Sequence, residues 1–321
     1  LELPDMEEAF NPLSNVIPMK SQVKGQRLVM ASRMTTQALP LASPEAPLVQ
    51  SAVPRTGGKQ SYEELYSAGM GALRASQGGT VTSVTDEEIK VRNEDGTEET
   101  HELYHNFPFN RKTFFHQTAA VQPGDTFKPN QLLASSNFTN KTGTMALGTN
   151  ARTAYIPWQG KNFEDAIVIS ESFAKKTASS HMYQHELELD DKTQVGKRQF
   201  IQAFPAAFKK DILANIDDQG VVRPGTVVNF GDPLVLGITQ KESAYNKVHK
   251  KGQSGFNDAA VLWQHHDTGV VTDVVMGKKG PVVVVKAESP TQVGDKLSGR
   301  YGDKGVIADI IPDSEMPHDN N

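Results

Sequence analysis

From Gly79 onward the chain is dominated by short apolar–polar alternations, the period-two pattern of half-buried strands. Residues 79–104, GTVTSVTDEEIKVRNEDGTEETHELY, form two such runs around an NEDGT turn. Further strands are expected at 131–134, at 151–158, at 166–169 and at 181–189, then at 234–238, 268–276 and 281–286. Helical spacing is scarcer. Its strongest instance is 200–215, where Phe204, Phe208, Ile212 and Ile216 recur four residues apart. Shorter helices are expected around Arg27–Gln37, after Ser61 with Glu64 three residues on (a capping box), and after Ser170 in SESFAKKTA. Residues 1–60 hold seven prolines and read as extended chain that wraps over other surfaces. Turns of the form P/F/V-G-D recur at 123–125, 230–232 and 293–295, a repeated corner that suggests a barrel-like β architecture. The polar stretch Lys241–Asn257 reads as a mobile loop. The fold class is therefore mainly β with short helices, a β-rich α+β protein.

Composition narrows the chemistry more than the fold. With 321 residues and 22% charged residues, the chain has room for one large or two medium domains. A net charge of −5 argues against a free-standing coat for nucleic acid, while leaving room for a local basic site. The absence of cysteine removes disulfides, thiolate zinc sites and cysteine nucleophiles. No run approaches the roughly 20 apolar residues of a membrane span. The acidic start LELPDMEEAF and the end MPHDNN both read as cuts, so the sequence is expected to be part of something longer.

Two stretches carry candidate chemistry. Residues 294–305, GDKLSGRYGDKG, place Lys296, Arg300 and Lys304 on a glycine-rich segment. Four glycines disfavour a helix there and favour a loop that brings backbone close to an anion such as phosphate. The plainer alternative is two ordinary turns with solvated lysines. In GKNFEDAIVISE, residues 160–171, Glu164 and Asp165 precede an apolar strand. Burying two like charges is costly, so a cation, a metal or the basic loop is a candidate partner, with a solvated turn as the alternative. His181 and His185 stand four apart, as in a helical metal pair, but they lie in a strand-like alternation and lack the glutamate of HExxH, and His265-His266-Asp267 are contiguous, so a zinc site is not expected. GxxxxGK[ST], GxGxxG and GxSxG are all absent.

These residues carry a resemblance. Pro157-Trp158 through Glu171, together with QVGDKLSGRYGDKGVIADIIPDSEMPH, resembles the β subunit of multisubunit DNA-directed RNA polymerases. NVIPMKSQVKGQRLVMASRMTTQALPL, GTVTSVTDEEIKVR, QPGDTFKPNQLLA and ALGTNARTAYIPW follow in family order, so the likeness covers nearly the whole chain. Tyr301 stands where the family pattern has histidine, and Asp303 where it has asparagine. The stretch between Asp165 and Lys296 is short for the family's flap insertion.

The resemblance implies a double-psi β-barrel with a reduced flap-like insertion. It divides the chain into an irregular segment at 1–60, a first barrel part at 61–175, an insertion at 176–285 and a second barrel part at 286–321. It implies a share in nucleotidyl transfer, with Lys296 and Lys304 at the RNA 3′ end and the substrate phosphates. Glu164 and Asp165 are expected near a second Mg2+ through water. Arg27 is expected at the incoming triphosphate and Gln37 at the RNA backbone. Arg300 is expected either at RNA or substrate, or paired with Glu164 or Asp165. The aspartates that hold the main Mg2+ in the family are absent here, so the chain is expected to be inactive without a β′-like partner. Its other expected partners are further β-like fragments, DNA template, RNA transcript and nucleoside triphosphates, in a hetero-oligomer without membrane contact. The expected source is a split bacteriophage polymerase in the host cytoplasm or the virion. The rival reading is a catalytically decayed barrel that serves as a structural subunit of a viral assembly.

Overall fold

A computed structural model describes residues 9–241 and 255–318. The chain folds as two compact units, residues 1–180 with 290–321 and residues 181–289. β structure dominates and the helices are short, as the alternation predicts. Among the described residues the strands form separate sheets of two to four strands, and none closes into a barrel.

In the first unit, β1 (Gly79–Val84), β2 (Glu88–Asn93) and β3 (Glu98–Glu102) form an antiparallel meander. Val81 faces Val91, and Val84 faces Ile89. Val81, Ile89 and Val91 pack with Phe127, Leu133 and Ala134, the last two on β4 (Leu132–Ser136). Two alternating runs were legible in this stretch, but the first bends at Thr85–Glu87 and supplies two of the three strands.

Three further elements build the sheet that carries the basic segment. They are β5 (Ala166–Ser170), β6 (Lys296–Ser298) and β7 (Lys304–Ile311). β7 lies between the others, parallel to β5 and antiparallel to β6. Ile167, Ile169, Leu297, Ile307 and Ile310 bury one side of this sheet with Phe173 and Ala174. Phe173 and Ala174 lie on the short helix that follows β5.

Beside a single turn at Pro12–Asn15, the helices described in this unit include α1 (Gly25–Thr35), α2 (Tyr62–Leu65) and α3 (Glu171–Lys176). Ser61 and Glu64 form the capping box reciprocally, yet α2 stops after four residues. Ser170 caps α3 by accepting from the Phe173 N–H at 3.1 Å. The proline-rich segment is held by scattered bonds rather than a ladder. Ala42 N donates to Ala178 O at 2.9 Å and Ser180 N to Pro40 O at 2.8 Å. Glu45 accepts from Asn150 N at 2.9 Å and pairs with Lys176 at 2.9 Å.

In the second unit, Ser179–Glu186, Pro281–Ser289, Gly269–Met276 and Val227–Val228 form one sheet in that order. Its core gathers Phe200, Ile216, Leu234, Leu236, Val283, Val285 and the fully buried Trp263. The helix expected at 200–215 is broken into Lys197–Ala203 and Lys210–Ala214. Pro205 supplies no N–H to continue the first turn, and Phe204 before it has left the helical region at φ −137, ψ 69. The spacing of four records core packing instead: the Phe200 ring lies 5.3 Å from Phe204 and 5.8 Å from Phe208. Most of the expected mobile loop, 242–254, lies outside the described residues. Its stem is a hairpin in which Ile238 faces Asp258 and Gln240 faces Phe256.

The repeated G-D corner is a real local device. Gly124, Gly231 and Gly294 have φ of 92°, 88° and 95°. Each following aspartate accepts from the backbone N–H three residues earlier at 2.8 Å: Asp125 from Gln122, Asp232 from Asn229 and Asp295 from Gln292. Each glycine N–H donates at 2.8 Å to a neighbouring stretch, at Val81, Trp263 and Ile307 respectively. Gly225 makes the same bond to Val271 with Thr226 in the aspartate's place. The corner thus pins a turn to a neighbouring stretch in both units.

Candidate functional site

All the candidate residues fall in the first unit. Along the β6–β7 hairpin Lys296 faces Val306 and Ser298 faces Lys304. Strand alternation therefore puts Lys296, Ser298, Lys304 and Val306 on one face, all exposed, while Leu297 and Gly305 turn inward. Lys296 and Lys304 are diagonal neighbours, a relation that spans roughly 7–8 Å. Neither ammonium has an ion-pair or hydrogen-bond partner among the described residues. Two like charges at this spacing repel, and a bound anion would relieve that repulsion.

The glycines have specific tasks. A Cβ on Gly305 would stand 2.5 Å from the Asp165 carbonyl oxygen. That carbonyl accepts from Val306 N at 2.9 Å, so the acid pair's backbone is bonded directly to the lysine strand. Gly302, at φ 76°, is buried under α1: a Cβ there would lie 3.0 Å from Ala31 N and 3.1 Å from Met30 Cβ. Arg27, on the first turn of α1, donates from Nη1 to Gly302 O at 3.1 Å and is otherwise exposed. Ser298 Oγ donates to Met34 Sδ at 2.9 Å, so α1 grips the hairpin at both sides of its tip. Gln37, two residues past α1, is exposed.

Glu164 and Asp165 are exposed and lie just before β5. The expectation that they are buried against the basic loop does not hold: β5 begins after them, and their carboxylates have no cationic partner among the described residues. Glu164 holds φ 55°, the left-handed region that costs a non-glycine residue about 1–2 kcal/mol. Its loop is fastened locally. The Asn162 side chain accepts from Trp158 N at 2.8 Å and donates to Ile156 O at 2.6 Å. Lys161 pairs with Asp309 on β7 at 2.6 Å, and that bond lowers the Asp309 pKa. The strand expected at 151–158 is absent; these residues form an exposed loop with Tyr155 at 92% exposure, and their alternation faces no sheet partner.

Arg300 does not pair with Glu164 or Asp165. Its guanidinium turns inward, where Nη1 donates to Glu63 Oε1 at 3.4 Å and Val16 O at 3.3 Å, and Nη2 to Val49 O at 2.5 Å. Glu63 is 0% exposed. Its second oxygen accepts from Ser51 N at 3.2 Å. Burial raises the Glu63 pKa, opposed by its own backbone N–H, then by the bond from Ser51 and the charge of Arg300. Burial likewise lowers that of Arg300, against the pull of Glu63. Sequence reasoning missed Glu63, because 237 positions separate it from Arg300 and no local pattern links them.

Among the described residues no three His, Asp or Glu converge as a metal cage. No helix among them is long and apolar enough to cross a membrane. The His185, His265, Tyr183 and Trp263 rings cluster in the second unit, with Trp263 and His265 centroids 4.6 Å apart. Burial lowers the His185 pKa, the ordinary behaviour of a packed imidazole.

Fold and site together define a β-rich scaffold with two exposed lysines on one hairpin face and an acid pair hydrogen-bonded to that hairpin through its backbone. The family described as RNA polymerase Rpb2, domain 6 matches residues 74–321, and the chain belongs to that family. It is 31% identical over 326 aligned residues to the DNA-directed RNA polymerase subunit β of Caldicellulosiruptor bescii, covering 95% of this chain and 26% of that protein. Against the same subunit of Syntrophomonas wolfei the identity is 30% over 333 residues, with 97% of this chain and 29% of the relative covered. For Rubrobacter xylanophilus the figures are 32% over 326 residues, 95% and 28%. The chain spans between a quarter and a third of the length of these relatives.

Proposed function

We propose that this chain supplies the β side of the active centre of a DNA-directed RNA polymerase, positioning the RNA 3′ end and the nucleotide phosphates for nucleotidyl transfer. The observation that carries the reading is the hairpin face on which Lys296 and Lys304 stand as unpaired diagonal cations among the described residues. Phosphoryl transfer depends mainly on positioning and on offsetting charge that spreads over phosphate oxygens. Two lysines fixed on a short hairpin suit that task. Arg27, already aimed at the hairpin tip, would meet the triphosphate with its remaining guanidinium donors, and Gln37 the RNA backbone.

Glu164 and Asp165 fit a Mg2+ held through water: both are exposed, oxygen-bearing and uncommitted among the described residues. Two carboxylates do not make a full set, so a β′-like partner would hold the ion mainly. Mg2+ would supply charge neutralisation at the reacting phosphate. In the assembled enzyme the β5–β7–β6 sheet, with its parallel pair and its G-D corner, would form part of a double-psi barrel. Arg300 acts inward, holding the hairpin rather than touching substrate.

The partners implied are β′-like and further β-like chains, DNA, RNA and nucleoside triphosphates. The setting implied is a host cytoplasm or a virion, with a bacteriophage as source. An RNA-extension assay tests the reading. The chain assembled with its β′-like partner should extend an RNA primer on a DNA template in Mg2+, and the chain alone should not. An assembly that forms but never extends RNA would favour the decayed, structural subunit instead.

A further inference from the structure

We propose that Glu63 is a positioning residue for the two lysines, acting through Arg300 on the β6–β7 hairpin. The inference rests on the reading of the site given above and adds a residue outside its motifs. Glu63 is a fully buried carboxylate in the first turn of α2, whose capping box is completed by the neighbouring Glu64. Besides its own backbone N–H, its carboxylate meets Ser51 N at 3.2 Å and Arg300 Nη1 at 3.4 Å.

Arg300 sits in the five-residue tip between Ser298 and Lys304, so whatever fixes Arg300 fixes the tip. Its guanidinium gathers three separate stretches of chain: Val16 O, Val49 O and Glu63 Oε1. On the other side of the tip, α1 lies against Gly302 and Arg27 holds the Gly302 carbonyl. The tip is thereby clamped from two directions, and the lysines that flank it have their backbone direction set. The planar, forked guanidinium can serve three acceptors at once; a lysine ammonium on a flexible stem cannot do so in the same geometry.

A buried ion pair is weak evidence for stability, since apolar packing of the same volume often serves as well. Charge and direction at this point are better explained by the demand for one hairpin geometry. Small displacements of catalytic groups by remote changes can slow chemistry by roughly a hundredfold.

The test uses the assembled polymerase with RNA primer, DNA template and nucleoside triphosphates. Glu63→Gln keeps the shape of the side chain and removes the charge. It should lower the maximal rate of nucleotide addition roughly 10- to 100-fold while the KM for nucleotide stays nearly unchanged and the subunits still assemble. Arg300→Lys should fall with it. In a background that carries both Lys296→Ala and Lys304→Ala, Glu63→Gln should add almost nothing to the loss, because the groups it positions are gone. Losses that multiply would mark Glu63 as a general stabiliser and overturn the proposal. If Glu63→Gln does not assemble, Glu63→Asp keeps the charge and withdraws it by one methylene. An intermediate rate loss in that variant supports the proposal, and full rate overturns it. Full rate in Glu63→Gln beside a slow Lys304→Ala removes this proposal alone. Full rate in Lys304→Ala removes the reading of the site and this proposal with it.

Discussion

The tripeptide Gly-Asp-Lys occurs twice in the candidate site, and the two copies do different physical work. At 294–296 the glycine is exposed with open space where a Cβ would stand, its N–H bonds Ile307 O, and Asp295 closes the turn onto Gln292. That is the same corner found at Asp125 and Asp232. At 302–304 the glycine is buried beneath α1, and Asp303 folds over Gly299; its carbonyl accepts from Gly299 N at 2.8 Å, while its carboxylate accepts no hydrogen bond among the described residues. The first copy is a general-purpose turn. The second is a seat for a helix, cut to the backbone of Ala31 and Arg27. Identical residues thus acquire their roles from what packs on them, and the lysines of both end on one face.

Substituting the two glycines is the strongest way to break this comparison. Gly302→Ala combines a left-handed φ with a clash against α1 backbone and should cost about 2–5 kcal/mol. Gly294→Ala carries only the φ penalty, about 1–2 kcal/mol. Thermal unfolding of the assembled protein should rank them in that order; equal losses would mean that α1 does not seat on Gly302.

The aspartates give a smaller contrast. Asp295→Ala, Asp125→Ala and Asp232→Ala each remove a 2.8 Å bond to a backbone N–H and should each cost about 1 kcal/mol in denaturant unfolding. Asp303→Ala should cost much less. A loss at Asp303 as large as at Asp295 would erase the distinction between corner and seat.

The smallest effect concerns the proline-rich segment whose Val16 and Val49 carbonyls clamp Arg300. Lys176, and after it the Asn150 N–H, lower the Glu45 pKa from 4.5 to about 2. A carboxylate with a depressed folded pKa contributes its stabilisation above its unfolded value and loses it as pH falls through the folded one. Glu45→Gln should therefore lower the Tm modestly at neutral pH, and the difference should fade between pH 4.5 and about 2. Glu45 is partly exposed and screened by water, which keeps the effect small. A difference that persists unchanged at pH 2 would show that the shape of the side chain matters and its charge does not.

What could be read from sequence was local. The capping box at Ser61, the cap at Ser170, the strand at 166–169 and the G-D corners all depend on neighbours within a few residues. The misreadings share one cause, a periodicity whose partner lies elsewhere. The 151–158 alternation meets no sheet, and the 200–215 spacing is core packing across a break at Pro205. In the site, the lysines and acids were visible as residue types. That α1 seats on Gly302, and that Glu63 rather than Glu164 or Asp165 holds Arg300, depends on contacts across more than 230 positions.

The central claim is that Lys296 and Lys304 act on the reacting phosphates. It is tested most directly by single-turnover nucleotide addition in the assembled enzyme. Lys296→Ala and Lys304→Ala should each slow the step about a hundredfold or more, because a fixed cation lost from a transition state costs a few kcal/mol. Assembly should survive, since both side chains are exposed on the hairpin face. Lys209→Ala and Lys278→Ala, exposed in the second unit, remove the same charge and should stay within about twofold of the parent. Equal, small losses at all four lysines would contradict the account and leave GDKLSGRYGDKG as a pair of solvated turns.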